Sequence, residues 1–568
     1  MHRYRDFISS FNEIDNCFIT KYTYFMIKLI IKIAYLLIGG FNMCINEKFL
    51  LTILETSDVH GTVLPINYSD NSYANCGLAA LSTIITKERE INQNTLLIDN
   101  GDMLQGTALT YFHAKINNNM PNPMIEAMNL MGFDAAVIGN HEFNYGRAYL
   151  DNAIKTSNFP WLCANITKKT TGESFTNKPY IVKIFDNGLK VGILGLTTKY
   201  IPNWENPVTI QDLNFEDAVE SANKWLKIMK KQEVTDINIV SYHGGFERDF
   251  ETGEPTETLT GENQGYELCK KVNNMDVLLT GHQHKVIENI LVNGVLVVQP
   301  GYNGNSIGKV SIDLVKSSGK WSITNKKSSI VDANATEVDK KILDSISTIE
   351  TKAQAWLDIS MGHIEGDMII KDPLKVRLKD NAYTEFINNI QMEAAKVDIS
   401  NTAIFDNHCK GFQHNVTMRD IISNYKYPNT LKVISLKGSD IKAALEKTAE
   451  YFSIVHCEIE VSKAGIYPKL QHYNYDMWEG IDYVIDISKP INSRVTKINY
   501  KNDPLNMEED YAVVMNNYRS GGGGNYLMFK GKPVLKDIPI DMAELIANYI
   551  LERKTIKATV NDNWKVIY

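Results

Sequence analysis

From residue 50 onward the chain alternates between two patterns. Short apolar runs rich in β-branched residues each end in a polar cluster, and helix-like segments separate them. The runs are Leu50–Glu55, Thr95–Ile98, Ala135–Ile138, Val191–Leu196, Ile237–Ser241, Val277–Leu279 and Leu296–Val298. Continuous apolar strands alternating with helices predict sheets covered on both faces, hence an α/β architecture. In such sheets ligands gather in the loops beyond the strand ends. Residues 336–360 have a different period. Val338, Ile342, Ile346, Ile349, Ala353 and Trp356 recur every three or four positions, which predicts one long amphipathic helix with Thr336 as its N-cap. That helix reads as a connector. A catalytic domain at 48–335 precedes it, behind an N-terminal extension at 1–47. A second α/β domain at 361–568 follows, with strand candidates near Ala403–Phe405, Leu431–Leu436, Tyr483–Ile487 and Tyr511–Val514.

Composition narrows this picture. The chain has 568 residues, 44% hydrophobic and 22% charged, enough to bury several cores. With 35 Gly and 16 Pro it falls far below the roughly 25–30% of low-complexity chains, so disordered, collagenous and coiled-coil classes are excluded. A net charge of −8 argues against a nucleic-acid-coating protein, and no nucleic-acid polymer is expected as a partner. A small anionic substrate remains compatible, because a bound metal reverses the field inside one cleft. The seven Cys are scattered and never form a CxxC pair, so neither a disulfide framework nor a cysteine zinc site is expected.

Residues 24–43 are the most apolar stretch, interrupted by Lys28 and Lys32. The unbroken run Ile33–Phe41 is nine residues, against about 20 for a bilayer span. It matches a signal-peptide apolar region in length but is followed by no small-x-small cleavage site. A translation start at Met26 or Met43 is the alternative. A cytoplasmic location is favoured; export or tethering through this segment is the alternative, and membrane contact is expected nowhere else.

The polar clusters after the strands carry the chemistry. They read Asp58-Val-His60, Gly101-Asp102, Gly139-Asn140-His141-Glu142, His243-Gly244-Gly245 and Gly281-His282-Gln283-His284, and hold five of the twelve histidines. Imidazoles, carboxylates and one amide oxygen make a mixed N/O ligand set suited to divalent transition metals, whether Mn, Zn, Fe or Co. Asp58, His60, Asp102, Asn140, His243, His282 and His284 make seven ligands, too many for one tetrahedral zinc. Seven suit two metals bridged by one carboxylate, and Asp102, central in the order, is the natural bridge. A single-metal site would use only three or four of them. Two cations about 3.5–4 Å apart hold a phosphate and lower the pKa of a water between them, so phosphoester hydrolysis suits this set best.

The order D-x-H, GD, GNHE, H-G and GH-x-H resembles the calcineurin-like metallophosphoesterase superfamily, and the chain from about residue 48 resembles its two-domain 5′-nucleotidase family. The resemblance implies a four-layer αββα sandwich, a linker helix, a C-terminal α/β substrate-binding domain, and a dinuclear centre on the seven ligands above. It gives His141 the role of acting on the transition state or leaving oxygen, while Glu142 is expected to be structural. In 5′-nucleotidases the motif continues GNHEFD, whose Asp pairs with the catalytic His. Here Asn144 stands in that place, as in the 2′,3′-cyclic-nucleotide 2′-phosphodiesterase/3′-nucleotidase branch. Asn can orient an imidazole but adds no negative charge to stabilise imidazolium.

YNYDMWEGIDY at 473–483 and NNYRSGGGG at 516–524 resemble second-domain signatures of the same branch. In 5′-nucleotidases the glycine run ends in GGD, whose Asp binds ribose hydroxyls; Gly524 occupies that position here. The resemblance places the nucleotide base between Tyr427 and Tyr518, beside Gly521, Gly522, Gly523 and Gly524, and implies that the second domain swings to deliver substrate. The function so implied is hydrolysis of nucleoside 2′,3′-cyclic phosphates and 3′-nucleotides. The alternatives are a 5′-nucleotidase/UDP-sugar hydrolase and a catalytically silent nucleotide-binding protein.

Overall fold

A computed structural model describes residues 26–30, 47–334, 338–466 and 470–568. Most of residues 24–43 lie outside the described residues, and no described helix is long and apolar enough to cross a membrane. The chain divides into two compact units, residues 1–49 with 313–325, and residues 50–312 with 326–568. In the first unit the described residues include a hairpin tip on which Phe49 meets Trp321 edge-on at 5.9 Å. Residues 47–49 of the first strand below and residues 313–325, which fall in the eleventh and twelfth strands and the turn between them, belong to the first unit; all else that follows lies in the second.

Two six-stranded mixed sheets form its first half. In chain order the strands are β1 (Glu47–Thr56), β2 (Thr95–Asp99), β3 (Ala135–Val137), β4 (Trp161–Leu162), β5 (Tyr180–Ile184), β6 (Lys190–Thr197), β7 (Ile237–His243), β8 (Val277–Thr280), β9 (Val286–Val292), β10 (Val295–Pro300), β11 (Ser306–Ser317) and β12 (Lys320–Asp332). One sheet runs β12-β11-β1-β2-β3-β4, the other β9-β10-β8-β7-β6-β5. The inner strands β1 to β4 and β6, β7, β8 and β10 pair in parallel. Every residue of β2 and β7 is buried, which is why these strands read as mostly apolar runs rather than alternating ones. Helices Leu78–Ile91 and Pro123–Met131 share a core with the first sheet, and Ala218–Ile228 and Gly265–Lys271 with the second.

The connecting helix spans Lys340–Leu357 and buries Ile342, Ile346, Ile349, Ala353 and Leu357. It is shorter than the 336–360 expected from periodicity. Asp339 is the N-cap, its side chain accepting from the backbone N–H of Lys341; Thr336 lies outside the described residues. Asp358 ends the helix, and Ser360 already pairs in a strand. Arg419 ties this helix to both halves of the unit, donating to Asp358 (2.6 Å), Gln354 (2.7 Å) and the Tyr68 carbonyl (2.8 Å).

The second domain is built on a five-stranded sheet of β13 (Ile399–Thr402), β14 (Leu431–Lys437), β15 (Met477–Glu479), β16 (Asp510–Asn516) and β17 (Val534–Ile538), in the order β15-β13-β16-β14-β17. The strand expected at Ala403–Phe405 is instead loop, because β13 ends at Thr402. Phe405 leaves the sheet to meet Tyr425 (4.8 Å) and Tyr427 (5.4 Å) edge-on, so its apolar character serves the wall of a cleft rather than a strand.

Inside this domain the buried carboxylates Asp380, Glu385 and Glu479 lie within 4.8 Å of one another. Glu479 Oε2 accepts from the Asn561 amide at 2.9 Å, but Oε1 is buried without a partner. Burial, assisted by the two neighbouring carboxylates, pushes the Glu479 carboxyl up to about 8. A carboxyl with a raised folded pKa favours the folded state while protonated. Its contribution is full below the unfolded value of 4.5 and is lost as pH rises toward 8. Glu479→Gln is therefore expected to raise the melting temperature at about pH 8.5 and change it little near pH 5. Thermal unfolding at the two pH values checks this; equal shifts at both would mean that packing, not ionisation, is responsible.

Candidate active site

The polar loops all leave the C-terminal ends of parallel strands. Asp58 and His60 follow β1, Asp102 follows β2, and Asn140 and His141 follow β3; His243 ends β7, and His282 and His284 follow β8. Asp58, His60 and His284 present ligand atoms within 4.8 Å of one another, as do Asp102, His243 and His282. Asn140 joins the second group, its Oδ1 lying 3.1 Å from His243 Nε2 and 2.9 Å from His282 Nδ1. Asp102 faces His243 through Oδ2 (3.1 Å), while Oδ1 accepts the His141 backbone N–H at 2.7 Å.

Convergence requires unusual backbone. Asp58, His60, Asp102, His282 and His284 all have φ between 50° and 66°. Left-handed backbone costs non-glycine residues about 1–2 kcal/mol each, Asp and His tolerating it better than most, and persists where surrounding structure enforces it. Glu142 supplies part of that enforcement. Its carboxylate accepts backbone N–H groups of Gly139 (2.6 Å), Asp102 (2.8 Å), Met103 (2.8 Å) and Leu104 (3.2 Å), stapling the loop after β2 to the loop after β3. Gly139 must be glycine, since a Cβ there would lie 2.3 Å from Asp102 Oδ1.

Three of the four ligand-type histidines have their second ring nitrogen held by an acceptor. His60 Nδ1 donates to the Gln105 carbonyl (3.1 Å), His243 Nδ1 to the Asn100 carbonyl (2.7 Å), and His282 Nε2 to Glu262 (2.8 Å). Each inward nitrogen is thereby left with a lone pair, the tautomer a metal requires. Yet His60 Nε2 and His284 Nε2 face each other at 3.0 Å, and His243 Nε2 faces oxygens of Asp102 and Asn140. Lone pairs aimed at one another are repulsive unless a cation or proton lies between them. Without a cation, protons carry this burden. Burial pulls the His243 imidazole down, but Asp102 outweighs it and lifts the group to about 10. Burial and the charge of His284 push His60 down to about 4. Against the effect of burial, His284 holds the Asp58 carboxyl below the usual carboxylate range, and His243 does the same for Asp102.

The site opens into a cleft of about 1430 Å³ lined from both domains. His141 lines it, with Nδ1 donating to Asn144 Oδ1 at 2.6 Å. Tyr427, Tyr518 and Gly521 through Gly524 line it too. The Tyr427 ring lies nearly parallel to His141 (6.1 Å, 20°), and Tyr518 meets Tyr473 edge-on (6.4 Å, 71°). A Cβ at Gly523 would stand 2.6 Å from the Tyr518 ring, so the glycine lets that ring lie against the backbone. Sequence reasoning missed Trp204, whose ring packs on His282 (5.4 Å), Tyr302, which stacks on His284 (4.7 Å), and Glu262. Trp204 sits just beyond the end of β6, a strand end in the same position as the others, and that was the available signal.

Residues 51–286 match the calcineurin-like phosphoesterase family model, and residues 360–531 match that of the 5′-nucleotidase C-terminal domain. A Staphylococcus aureus protein provisionally named as a 5′-nucleotidase, crystallised with alpha-ketoglutarate, is 34% identical, with a TM-score of 0.84 over 92% of this chain and 100% of that one. The chain is a two-domain calcineurin-like metallophosphoesterase of the 5′-nucleotidase family.

Among other members, the trifunctional nucleotide phosphoesterase protein YfkN of Bacillus subtilis is 28% identical over 91% of this chain, which spans only 39% of YfkN. The 2′,3′-cyclic-nucleotide 2′-phosphodiesterase/3′-nucleotidase of Salmonella typhimurium is 28% identical over 83% of this chain and 81% of its own length. Calcineurin-like metallophosphoesterases imply a two-metal centre, and the residues present fit one: two groups of imidazole and carboxylate donors, with His60 Nε2 of the first facing His284 Nε2 at 3.0 Å.

Proposed function

We propose that this metallophosphoesterase opens nucleoside 2′,3′-cyclic phosphates to 3′-nucleotides and then removes the 3′-phosphate. One metal would be held by Asp58, His60 and His284, the other by Asn140, His243 and His282, with Asp102 between them. When bound, two divalent ions neutralise phosphate charge and make water a stronger nucleophile at phosphorus. The chain's own residues do the rest. His141 Nδ1–H is committed to Asn144, so the departing ribose oxygen, O2′ in the cyclic ester and O3′ in the monoester, takes its proton from Nε2 of the ring protonated on both nitrogens. Water supplies the new P–O bond in each step. In this division of labour residues 48–335 carry the hydrolytic groups, and residues 361–568 hold the base on Tyr427 and Tyr518, where stacking is worth about 1–3 kcal/mol and tolerates any base.

The observation that carries the branch choice is at Gly524. Its φ is 71°, and a Cβ there would lie 2.0 Å from Asn474 Oδ1, which is held by Arg519 at 3.2 Å. The space that a ribose-binding Asp needs is thus filled by Asn474. The name of the Staphylococcus aureus relative favours the second reading, a 5′-nucleotidase. Assay of the Mn²⁺-loaded protein against 2′,3′-cyclic AMP, 3′-AMP and 5′-AMP separates the two. Turnover of the first two is expected to dominate, and a wide preference for 5′-AMP would overturn the choice.

A further inference from the structure

Asn144 has a second partner besides His141. Its Nδ2 donates to Glu205 Oε2 at 3.1 Å, across 61 residues of sequence. The other carboxylate oxygen of Glu205 accepts the Asn206 backbone N–H at 2.7 Å, so both oxygens are engaged and the carboxylate cannot rotate freely. Asn206 in turn caps the short helix Pro207–Ile210, its side chain accepting from Val208 N at 3.0 Å, which anchors the segment. Glu205 follows the short helical turn Ile201–Asn203, next to Trp204 on His282.

A side-chain amide is nearly symmetric in shape, and only its partners decide which end is oxygen. A carboxylate can only accept, so Glu205 obliges Asn144 to turn its NH₂ outward and its oxygen toward His141. The oxygen can only accept, so His141 must carry its proton on Nδ1. Without Glu205 the amide is free to flip and present NH₂ to the imidazole, which opposes a proton on Nδ1 and with it the doubly protonated ring that gives a proton from Nε2. Glu205 also returns, one residue further out, the negative charge that an Asp at position 144 would have supplied directly.

We propose that Glu205 is a positioning residue for catalysis, fixing the Asn144 amide and through it the His141 tautomer. The inference rests on the reading of His141 as the group acting on the leaving oxygen, and the test separates the two. With 3′-AMP, Glu205→Ala is expected to lower kcat about tenfold while KM stays within about twofold, the scale of losing an outer-shell partner. Glu205→Gln, which keeps an acceptor oxygen for Asn144, is expected to lose no more than about threefold.

The decisive background is Asn144→Asp. There Glu205 has no amide to receive and faces a second carboxylate at hydrogen-bonding distance, which is repulsive. Glu205→Ala is therefore expected to raise kcat in that background, reversing its sign. A loss in both backgrounds, as packing alone would give, overturns the proposal. Nitrogen-15 NMR of histidine-labelled, metal-loaded protein reads the same point without turnover: His141 is expected as the Nδ1–H tautomer, becoming a mixture in Glu205→Ala. If the parent protein hydrolyses none of the phosphoesters, the functional reading fails. In that event a His141 ring unchanged by Glu205→Ala overturns the positioning role, and a redistributed one supports it.

Discussion

Asp102→Asn is expected to lower kcat/KM for every phosphoester the protein hydrolyses by at least about 10³-fold, about 4 kcal/mol of transition-state stabilisation. The substitution keeps the volume of the side chain and leaves an oxygen for the His141 backbone N–H, which Asp102 now holds at 2.7 Å. It removes the charge that faces His243 at 3.1 Å within the second ligand group. A centre in which one carboxylate serves both cations loses affinity for both when that charge is gone. Metal analysis of the purified variant is therefore expected to give well under two ions per chain, while its melting temperature and circular dichroism stay close to the parent's. Retained turnover with two ions bound would remove Asp102 from the bridging position.

His141→Gln is expected to separate chemistry from metal binding. His141 belongs to neither ligand group, so the variant should hold the same two ions as the parent. Turnover of 3′-AMP should nevertheless fall about 10²–10⁴-fold, the usual worth of a positioned general acid. Leaving-group dependence carries the argument further. A ribose alkoxide is a poor leaving group and needs a proton as it departs, whereas p-nitrophenolate does not. The loss should shrink markedly with p-nitrophenyl phosphate. An equal loss on both substrates would mean that His141 acts on phosphate charge rather than on the leaving oxygen.

The α/β class was legible because strands buried on both faces are mostly apolar on both: β2 and β7 stood out as runs without polar-apolar alternation. The ligand-type residues were legible because each loop after such a strand is short and polar, so its few side chains have little reason to be Asp or His except chemistry. The C-terminal strand at 403–405 was misread for a related reason. Phe405 is apolar because it lines a cleft against Tyr427, and the local pattern cannot distinguish a cleft wall from a sheet. The connecting helix was over-extended because periodicity records which face is buried but not where Asp339 caps the first turn.

The residues that tune the site were invisible for a deeper reason. Glu205, Glu262 and Tyr302 have no spacing relation to the site residues they touch; Glu205 reaches Asn144 across 61 residues and a change of sheet. By itself the sequence determined the layered architecture, the set of metal-seeking side chains and the presence of Asn144 and Gly524, because each depends on residue identity within a short local pattern. Only the tertiary structure decided which ligands share a group, that Asn474 closes the space beside Gly524, and which ring nitrogen of each histidine faces inward. Those outcomes depend on hydrogen-bond partners brought from distant strands, and no local pattern records a partner that arrives only when the chain has folded.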